Sequence, residues 1–407
     1  RTMAAAGEAL PESMRAVCFE RPLEVAVREL PRPRATAPGE AIVRVDVAAI
    51  CGSDLHPYRG AEKGLAPGTV MGHEFVGHVA EVGPDTHGLA VGDRVVAPFT
   101  TNCGACYFCT HHLSCRCKSG QLFGWVDEST GAGLQGAQAE YVRVPLAQST
   151  LMPVPAHLPS DRAILLGDIL ATGFFCALRG GICDAAALHA ASAASGTSGT
   201  ATNSGPLMVV VIGCGPVGLM AVASAAYLGA KSGRPTTVVA VDAVPERMAA
   251  AKRLGAKHVF SFRTDNVVER VAELSPSQTG ADVVLEVVGQ PAAMKLAYDC
   301  MRPGGVLSSV GVHAYEHNQI SPEGAYDKNL TFTTGRCPAR SLMAGHLPHL
   351  LAVLESFDPT VLFTHRISLD EAPEAYKVFN EQRDGMIKCL LVLGEADGVA
   401  IAAPALD

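Results

Sequence analysis

Long apolar runs, surplus positive charge and a leader-like start are all missing from this chain of 407 residues. No apolar stretch reaches the eighteen or so residues that cross a bilayer as a helix, so no membrane span is expected. Lys and Arg together number 32 against 40 Asp and Glu, for a formal charge of −8. That balance argues against nucleic acid or an anionic membrane as the main partner, because both are recognised through clustered positive charge. The opening residues, Arg1-Thr-Met-Ala-Ala-Ala-Gly-Glu, lack the basic-then-apolar layout of a signal peptide. Met14-Arg-Ala-Val is the expected start of the folded part. What remains is an ordinary soluble globular composition, 48% hydrophobic and 18% charged, long enough for two or three domains.

Cysteine, by contrast, is plentiful. Four of the thirteen fall as Cys103-x2-Cys106-x2-Cys109-x7-Cys117. Cysteines two residues apart on a tight loop aim their sulfurs at one point, and a fourth from a short return closes a tetrahedron, the arrangement of a structural zinc ion. An iron–sulfur cluster uses similar spacing and disulfides are a third reading. Apart from Cys51, considered below, the other eight (18, 115, 176, 183, 214, 300, 337 and 389) are scattered, several in apolar runs. They read as free buried thiols, the usage of a reducing compartment, so a cytoplasmic location is expected.

The texture of the chain changes near residue 166. Before it come short strands punctuated by glycine, such as Ala41–Ile50, Gly72–Gly83 and Val91–Pro98, the composition of an irregular β-barrel. Arg162–Gly180 reads as one helix. Beyond it strands and helices alternate from Leu207 to Val312, the pattern of a doubly wound parallel sheet. Ile387–Leu393 is a strand with no place in such a sheet, so the tail is expected to rejoin the first domain. The domains expected are 14–170, 171–335 and a return over 336–395. Within the second, 184–205 is an Ala/Ser/Thr/Gly-rich stretch without apolar periodicity, read as a surface insertion.

Gly213-Cys-Gly215-Pro216-Val217-Gly218 follows four apolar strand residues and opens a helix. In that context Gly-x-Gly-x-x-Gly is a dinucleotide fingerprint: a tight turn, close approach of pyrophosphate to the backbone, and close packing of helix on sheet. Asp242 ends the next strand, where a carboxylate accepts hydrogen bonds from the adenosine ribose and repels a 2′-phosphate. NAD is therefore expected over NADP, with Arg247 keeping NADP as a minority reading. Val288 and Gly311, at the ends of two later strands, complete the expected cofactor surface.

Cys51, His73 and Asp168 are candidates for an open zinc site, with three ligands of mixed type and one position left for water or substrate. Each sits beside glycine at the end of a strand or the start of a helix. With these residues the chain resembles the zinc-dependent alcohol dehydrogenases of the medium-chain dehydrogenase/reductase superfamily. The resemblance is carried by Cys51-Gly-Ser-Asp-Leu-His56, Gly72-His-Glu-Phe-Val-Gly77, the four-cysteine lobe, Asp168-Ile-Leu-Ala-Thr-Gly173 and the glycine fingerprint with Asp242. It implies an α/β protein with a GroES-like β-barrel catalytic domain and a Rossmann NAD-binding domain. It also implies two zinc ions per chain, one structural and one catalytic. Asp in place of the third ligand, with Phe123-Gly-Trp-Val-Asp-Glu and Thr334-Gly-Arg-Cys-Pro-Ala-Arg, is similar to the formaldehyde-dehydrogenase-like branch.

The same resemblance implies Glu74 as an occasional alternative ligand and Asp54 as the carboxylate that orients His73. Ser53 would take the alcohol proton, His56 would pass it outward, and Thr172 would position the nicotinamide. Gly52 stands where some members have an arginine on the pyrophosphate, and Arg336 would supply part of that charge. The expected activity is oxidation of an alcohol or aldehyde hydrate with NAD, on a small-molecule substrate, by a homodimer or homotetramer. Formaldehyde, polyol or threonine-type dehydrogenases are the alternatives within the class. A cofactor-binding protein of the same fold without catalysis is the alternative outside it.

Overall fold

The computed structural model describes residues 10–183, 205–313, 315–317 and 319–394. Both tails and, apart from Gly205, the 184–205 segment lie outside them. The described parts form two compact units, one drawn from residues 10–168, Pro338–Leu347 and 362–394, the other from the described residues of 169–337 and from Pro348–Val361. Residues 348–361 thus pack with the second unit, where the sequence reading returned all of 336–395 to the first. No helix among the described residues is long and apolar enough to cross a membrane.

The first unit opens with an antiparallel pair, β1 (Ser13–Arg21) and β2 (Glu24–Pro31). Its main sheet has seven strands: β3 (Ala41–Ile50), β4 (Phe75–Val82), β5 (Arg94–Val96), β6 (Tyr141–Val144), β7 (Met152–Pro153), β14 (Phe363–Ile367) and β15 (Lys388–Val392). The order is β14-β15-β3-β4-β5-β7, with β6 also on β3. The return strand β15 pairs antiparallel with β3, Cys389 opposite Ile50, which gives the tail strand its place in this unit.

The second unit carries a six-stranded sheet of β8 (Leu207–Ile212), β9 (Thr236–Asp242), β10 (His258–Ser261), β11 (Ala281–Glu286), β12 (Met301–Ser309) and β13 (Thr331–Thr334). All its pairings are parallel, in the order β10-β9-β8-β11-β12-β13. Helices α1 (Ile169–Arg179), α2 (Pro216–Ser232), α3 (Pro245–Arg253), α4 (Val267–Leu274) and α5 (Pro291–Cys300) belong to it. Every residue of β8 is buried, as expected of a strand covered on both faces. The first crossovers run outward from β8 through β9 to β10 and the later ones start from its other side, so the order reverses at β8. Ligands of such sheets bind beyond the carboxyl end of that strand.

One element differs from its sequence reading. Arg162–Gly180 is not a single helix, because a short 3-10 turn over Ile164–Gly167 ends at Asp168, with φ −143° and ψ −80°, and α1 begins only at Ile169. The break has a tertiary cause. A side chain at Gly167 would bring its Cβ within 2.2 Å of the Ala97 carbonyl oxygen, so the turn is pressed onto the strand end. Apolar periodicity carries no sign of that contact.

Candidate active site

Strand register brings the first set of residues together. β3 and β4 run antiparallel with Ala48 opposite Phe75, so the residue that follows β3, Cys51, lies beside those that precede β4, His73 and Glu74. β5 pairs with β4, and Gly167 packs against Ala97 at the end of β5, which delivers Asp168 to the same place. The ligand atoms of Cys51, His73, Glu74 and Asp168 all lie within 4.8 Å of one another, and all four residues are buried. Asp168 Oδ2 is 3.5 Å from Cys51 Sγ and 3.2 Å from His73 Nε2. Ligands held at about 2.0–2.3 Å from a tetrahedral zinc ion stand about 3.3–3.8 Å apart, so the spacing fits.

The electrostatics fit as well. Burial pushes the Cys51 thiol up, and the Glu74 and Asp168 carboxylates push it further. Burial alone would lower His73, but Asp54 and Asp168 outweigh it and hold the imidazole well above its ordinary value. Burial would raise Asp168, yet His73 and Lys388 bring it down to about 2. The pocket is anion-rich. Cys51 as thiolate and Asp168 as carboxylate carry two negative charges, which a divalent cation balances with His73 neutral.

Glu74 has its own counterion. Lys388 Nζ, fully buried on β15, lies 2.6 Å from Glu74 Oε2 and 3.0 Å from Oε1. Burial would lower the ammonium, and Glu74 more than restores it. Sequence reasoning missed Lys388. Its one signal was a lysine inside the apolar run Ile387-Lys-Cys-Leu-Leu, which reads as an edge charge until the register with β3 is known.

Of the other expected residues, Asp54 Oδ1 lies 3.1 Å from His73 Nδ1, which leaves Nε2 to face Asp168. Ser53 sits on a 3-10 turn with its Oγ 3.2 Å from His73 Nε2. No hydrogen bond joins Ser53 to His56 among the described residues. His56 is half-buried, and that burial lowers its pKa, so at neutral pH it is an uncharged base able to accept a proton.

The cysteine lobe forms a second cluster. Cys103, Cys106, Cys109 and Cys117 place all four sulfurs within 4.8 Å of one another. Cys106 Sγ is 3.6 Å from Cys109 Sγ and 3.9 Å from Cys117 Sγ. Four thiolates at about 2.3 Å from one zinc ion stand about 3.8 Å apart. A disulfide would need about 2.05 Å, and all thirteen cysteines are free. Of the eight scattered cysteines seven are buried, and Cys115, expected to be buried, is only partly so, because it sits on this exposed lobe. Two sites of this kind lead to a direct expectation. Metal analysis of the purified protein should find about two zinc ions per chain; a value near one would mean that one cluster holds none.

In the second unit Gly213 (φ +93°) turns the chain after β8, and Pro216 and Val217 begin α2. A Cβ at Gly218 would come within 1.9 Å of the Gly213 carbonyl oxygen, so only glycine lets α2 start this close to the strand. A Cβ at Gly215 would meet nothing within 4 Å, which leaves the amide face of the turn open to a phosphate. Asp242 Oδ2 accepts from the Cys214 amide at 2.7 Å, and Oδ1 accepts from Ala243 and Val244 at 2.7 and 2.9 Å. The carboxylate therefore braces the glycine turn, a role its sequence position did not announce, and keeps lone-pair capacity on Oδ2. Val288, 40% exposed, follows β11 beside Gly213, and Gly311 follows β12. Thr172 is buried on α1. Arg247 lies on α3, with its buried Nε making no hydrogen bond among the described residues, and Arg336 follows β13.

Comparison with known proteins agrees across most of the chain. Residues 37–156 match the alcohol dehydrogenase GroES-like domain, and residues 216–350 match the zinc-binding dehydrogenase domain. The chain is 40% identical over 374 residues to zinc-type alcohol dehydrogenase B of Aspergillus flavus, covering 91% of this chain and 79% of that one. It is 41% identical over 304 residues to a medium chain reductase/dehydrogenase of Acremonium sp, 74% of this chain and 95% of the relative. The solved alcohol dehydrogenase TADH from Thermus sp. ATN1 superposes with a TM-score of 0.80 at 37% identity, over 93% of this chain and 99% of that structure.

Proposed function

Because this chain belongs to the zinc-type alcohol dehydrogenases of the medium-chain dehydrogenase/reductase superfamily, we propose that it oxidises a small alcohol or aldehyde hydrate with NAD, at a centre made of Cys51, His73 and Asp168. The observation that carries this reading is the convergence of those three ligand atoms, of three chemical types, in one buried pocket. A metal ion held there would lend Lewis acidity to the substrate oxygen, and a bound nicotinamide would accept the hydride.

The chain's own residues do the rest. Cys51 and Asp168 bring the charge that retains a divalent ion, and Asp54 holds His73 in the tautomer whose Nε2 faces it. Ser53 Oγ, within hydrogen-bond distance of that nitrogen, is placed to take the substrate's hydroxyl proton. His56, three residues further on and partly open to solvent, passes the proton outward. Gly215 and the start of α2 receive the pyrophosphate, with Arg336 supplying part of the positive charge there, and Arg247 on α3 leaves NADP as the minority cofactor. Asp242 favours the unphosphorylated ribose of NAD, and Thr172 positions the nicotinamide.

The third ligand is what points to one substrate class over another. Asp168, with the Phe123-Gly-Trp and Thr334-Gly-Arg segments, supports the formaldehyde-dehydrogenase-like branch and hence a small aldehyde hydrate or its adduct as substrate. A screen of alcohols and aldehydes with NAD and with NADP tests all of this at once. The expected result is NAD reduction with a higher kcat/KM than for NADP. Protein that bound zinc and NAD yet oxidised nothing in the panel would favour a non-catalytic member of the fold instead.

A further inference from the structure

Behind His73 a chain of hydrogen bonds runs on past Asp54 into the carboxyl-terminal part of the sequence. Asp54 Oδ2 accepts from the Cys51 amide at 2.8 Å and from Gln138 Nε2 at 3.3 Å. Gln138 is fully buried just before β6, and its Nε2 also donates to the Ala49 carbonyl at 3.1 Å. Its Oε1 accepts from the hydroxyl of Tyr376 at 2.9 Å. Tyr376 is fully buried on α6 (Ala372–Glu381), its ring tilted against Tyr58 at 5.3 Å. The glutamine also lies against the backbone that leads into His73. A Cβ at Gly72 (φ +89°) would come within 2.5 Å of Gln138 Cγ.

An amide can be placed either way round, and its partners decide which. Here Nε2 faces two acceptors and Oε1 faces a hydroxyl. Reversed, the amide oxygen would face a carboxylate and a carbonyl inside the protein, a repulsion strengthened by burial. Burial and the nearby Asp54 carboxylate hold the Tyr376 phenol well above its ordinary pKa, so it remains a donor.

We propose that Tyr376 and Gln138 are positioning residues for the Cys51–His73–Asp168 centre. Tyr376 fixes the direction of the Gln138 amide, the amide fixes the Asp54 carboxylate, and Asp54 fixes which nitrogen of His73 is turned to the metal. The inference rests on the zinc reading of that centre.

The test measures metal retention rather than turnover alone. Tyr376→Phe removes one hydroxyl, and Gln138→Met breaks the same chain at its middle, so either variant reads the same link. Zinc release to a chromogenic chelator is followed in each, with the Asp168→Ala protein marking the phase that belongs to the cysteine lobe. The expected result is release from the mixed-ligand centre about tenfold faster, the lower end of what lost outer hydrogen bonds cost a metal site. Release from the lobe stays unchanged, kcat falls, and KM for NAD holds. In an Asp54→Asn background Tyr376→Phe should add nothing further. Release at the parent rate in both variants overturns the inference alone, and equal acceleration at both sites reduces it to general loosening and overturns it too. A parent protein carrying no metal at this centre removes the zinc reading and the inference with it.

Discussion

Asp168→Ala should lose turnover and one metal ion together while still binding NAD. The carboxylate is the only one of the three expected ligands that comes from outside the β3–β4 junction, and it sits 3.5 Å from Cys51 Sγ and 3.2 Å from His73 Nε2. Without it two ligands remain and the negative charge that retains a divalent ion is halved. Lewis-acid assistance is worth several kcal/mol, and each 1.36 kcal/mol is tenfold, so kcat/KM should fall by about 10³-fold or more. Zinc content should drop from about two to about one per chain. NAD affinity, read by nucleotide titration, should change little, because the glycine turn, Asp242 and α2 belong to the other unit. Asp168→Cys, which keeps the negative charge on a softer ligand, should restore metal and part of the activity. Full activity in Asp168→Ala would place the third ligand elsewhere.

How these residues could be picked out from sequence differs case by case. The cysteine lobe and the glycine turn are local patterns, each needing fewer than twenty residues and a known spacing, so a single sequence displays them. Cys51, His73 and Asp168 are far apart along the chain and carry no spacing rule. They stood out through their resemblance to known motifs, not through any periodicity. Gln138 and Tyr376 carried no signal of either kind, and Lys388 only its place inside an apolar run. Their roles depend on β15 pairing with β3 and on α6 packing near Gln138, and such long-range register is set by the folded sheet. The break at Asp168 was hidden for the same reason, since its cause is the carbonyl of Ala97 and not anything within residues 162–180.

Lys388→Met should destabilise the fold by about 3–5 kcal/mol, the usual result of removing one partner from a buried ion pair. Both side chains are essentially inaccessible, at 0% and 1% exposure, so no solvent screens the loss. The abandoned Glu74 carboxylate would stand beside Cys51 and Asp168 in a pocket already rich in negative charge. Burial already pushes the Glu74 carboxyl up, and without Lys388 it rises further, so part of the cost is relieved by taking up a proton. The variant should therefore lose the most stability at alkaline pH, where that proton is hardest to keep. Urea unfolding at two pH values measures this directly. Adding Glu74→Gln to Lys388→Met should recover most of the loss, because the uncompensated charge is gone. Equal destabilisation by the single and double variants would show that Lys388 matters through its packing and not through its charge.

The pairing of Glu74 with Lys388 also sets an order of events at birth. The two residues are 314 positions apart, so at about 5–20 residues per second a ribosome makes the acid about 15–60 s before its base. The strands β3 and β4 emerge early, but the buried acid between them has no counterion until nearly the whole chain has been translated. The second unit, bounded by Ile169 and Val361, can finish folding during that interval, while the metal-binding unit waits for its last strand. A nascent chain arrested before Lys388 should thus present a closed nucleotide sheet and an open, protease-sensitive β unit.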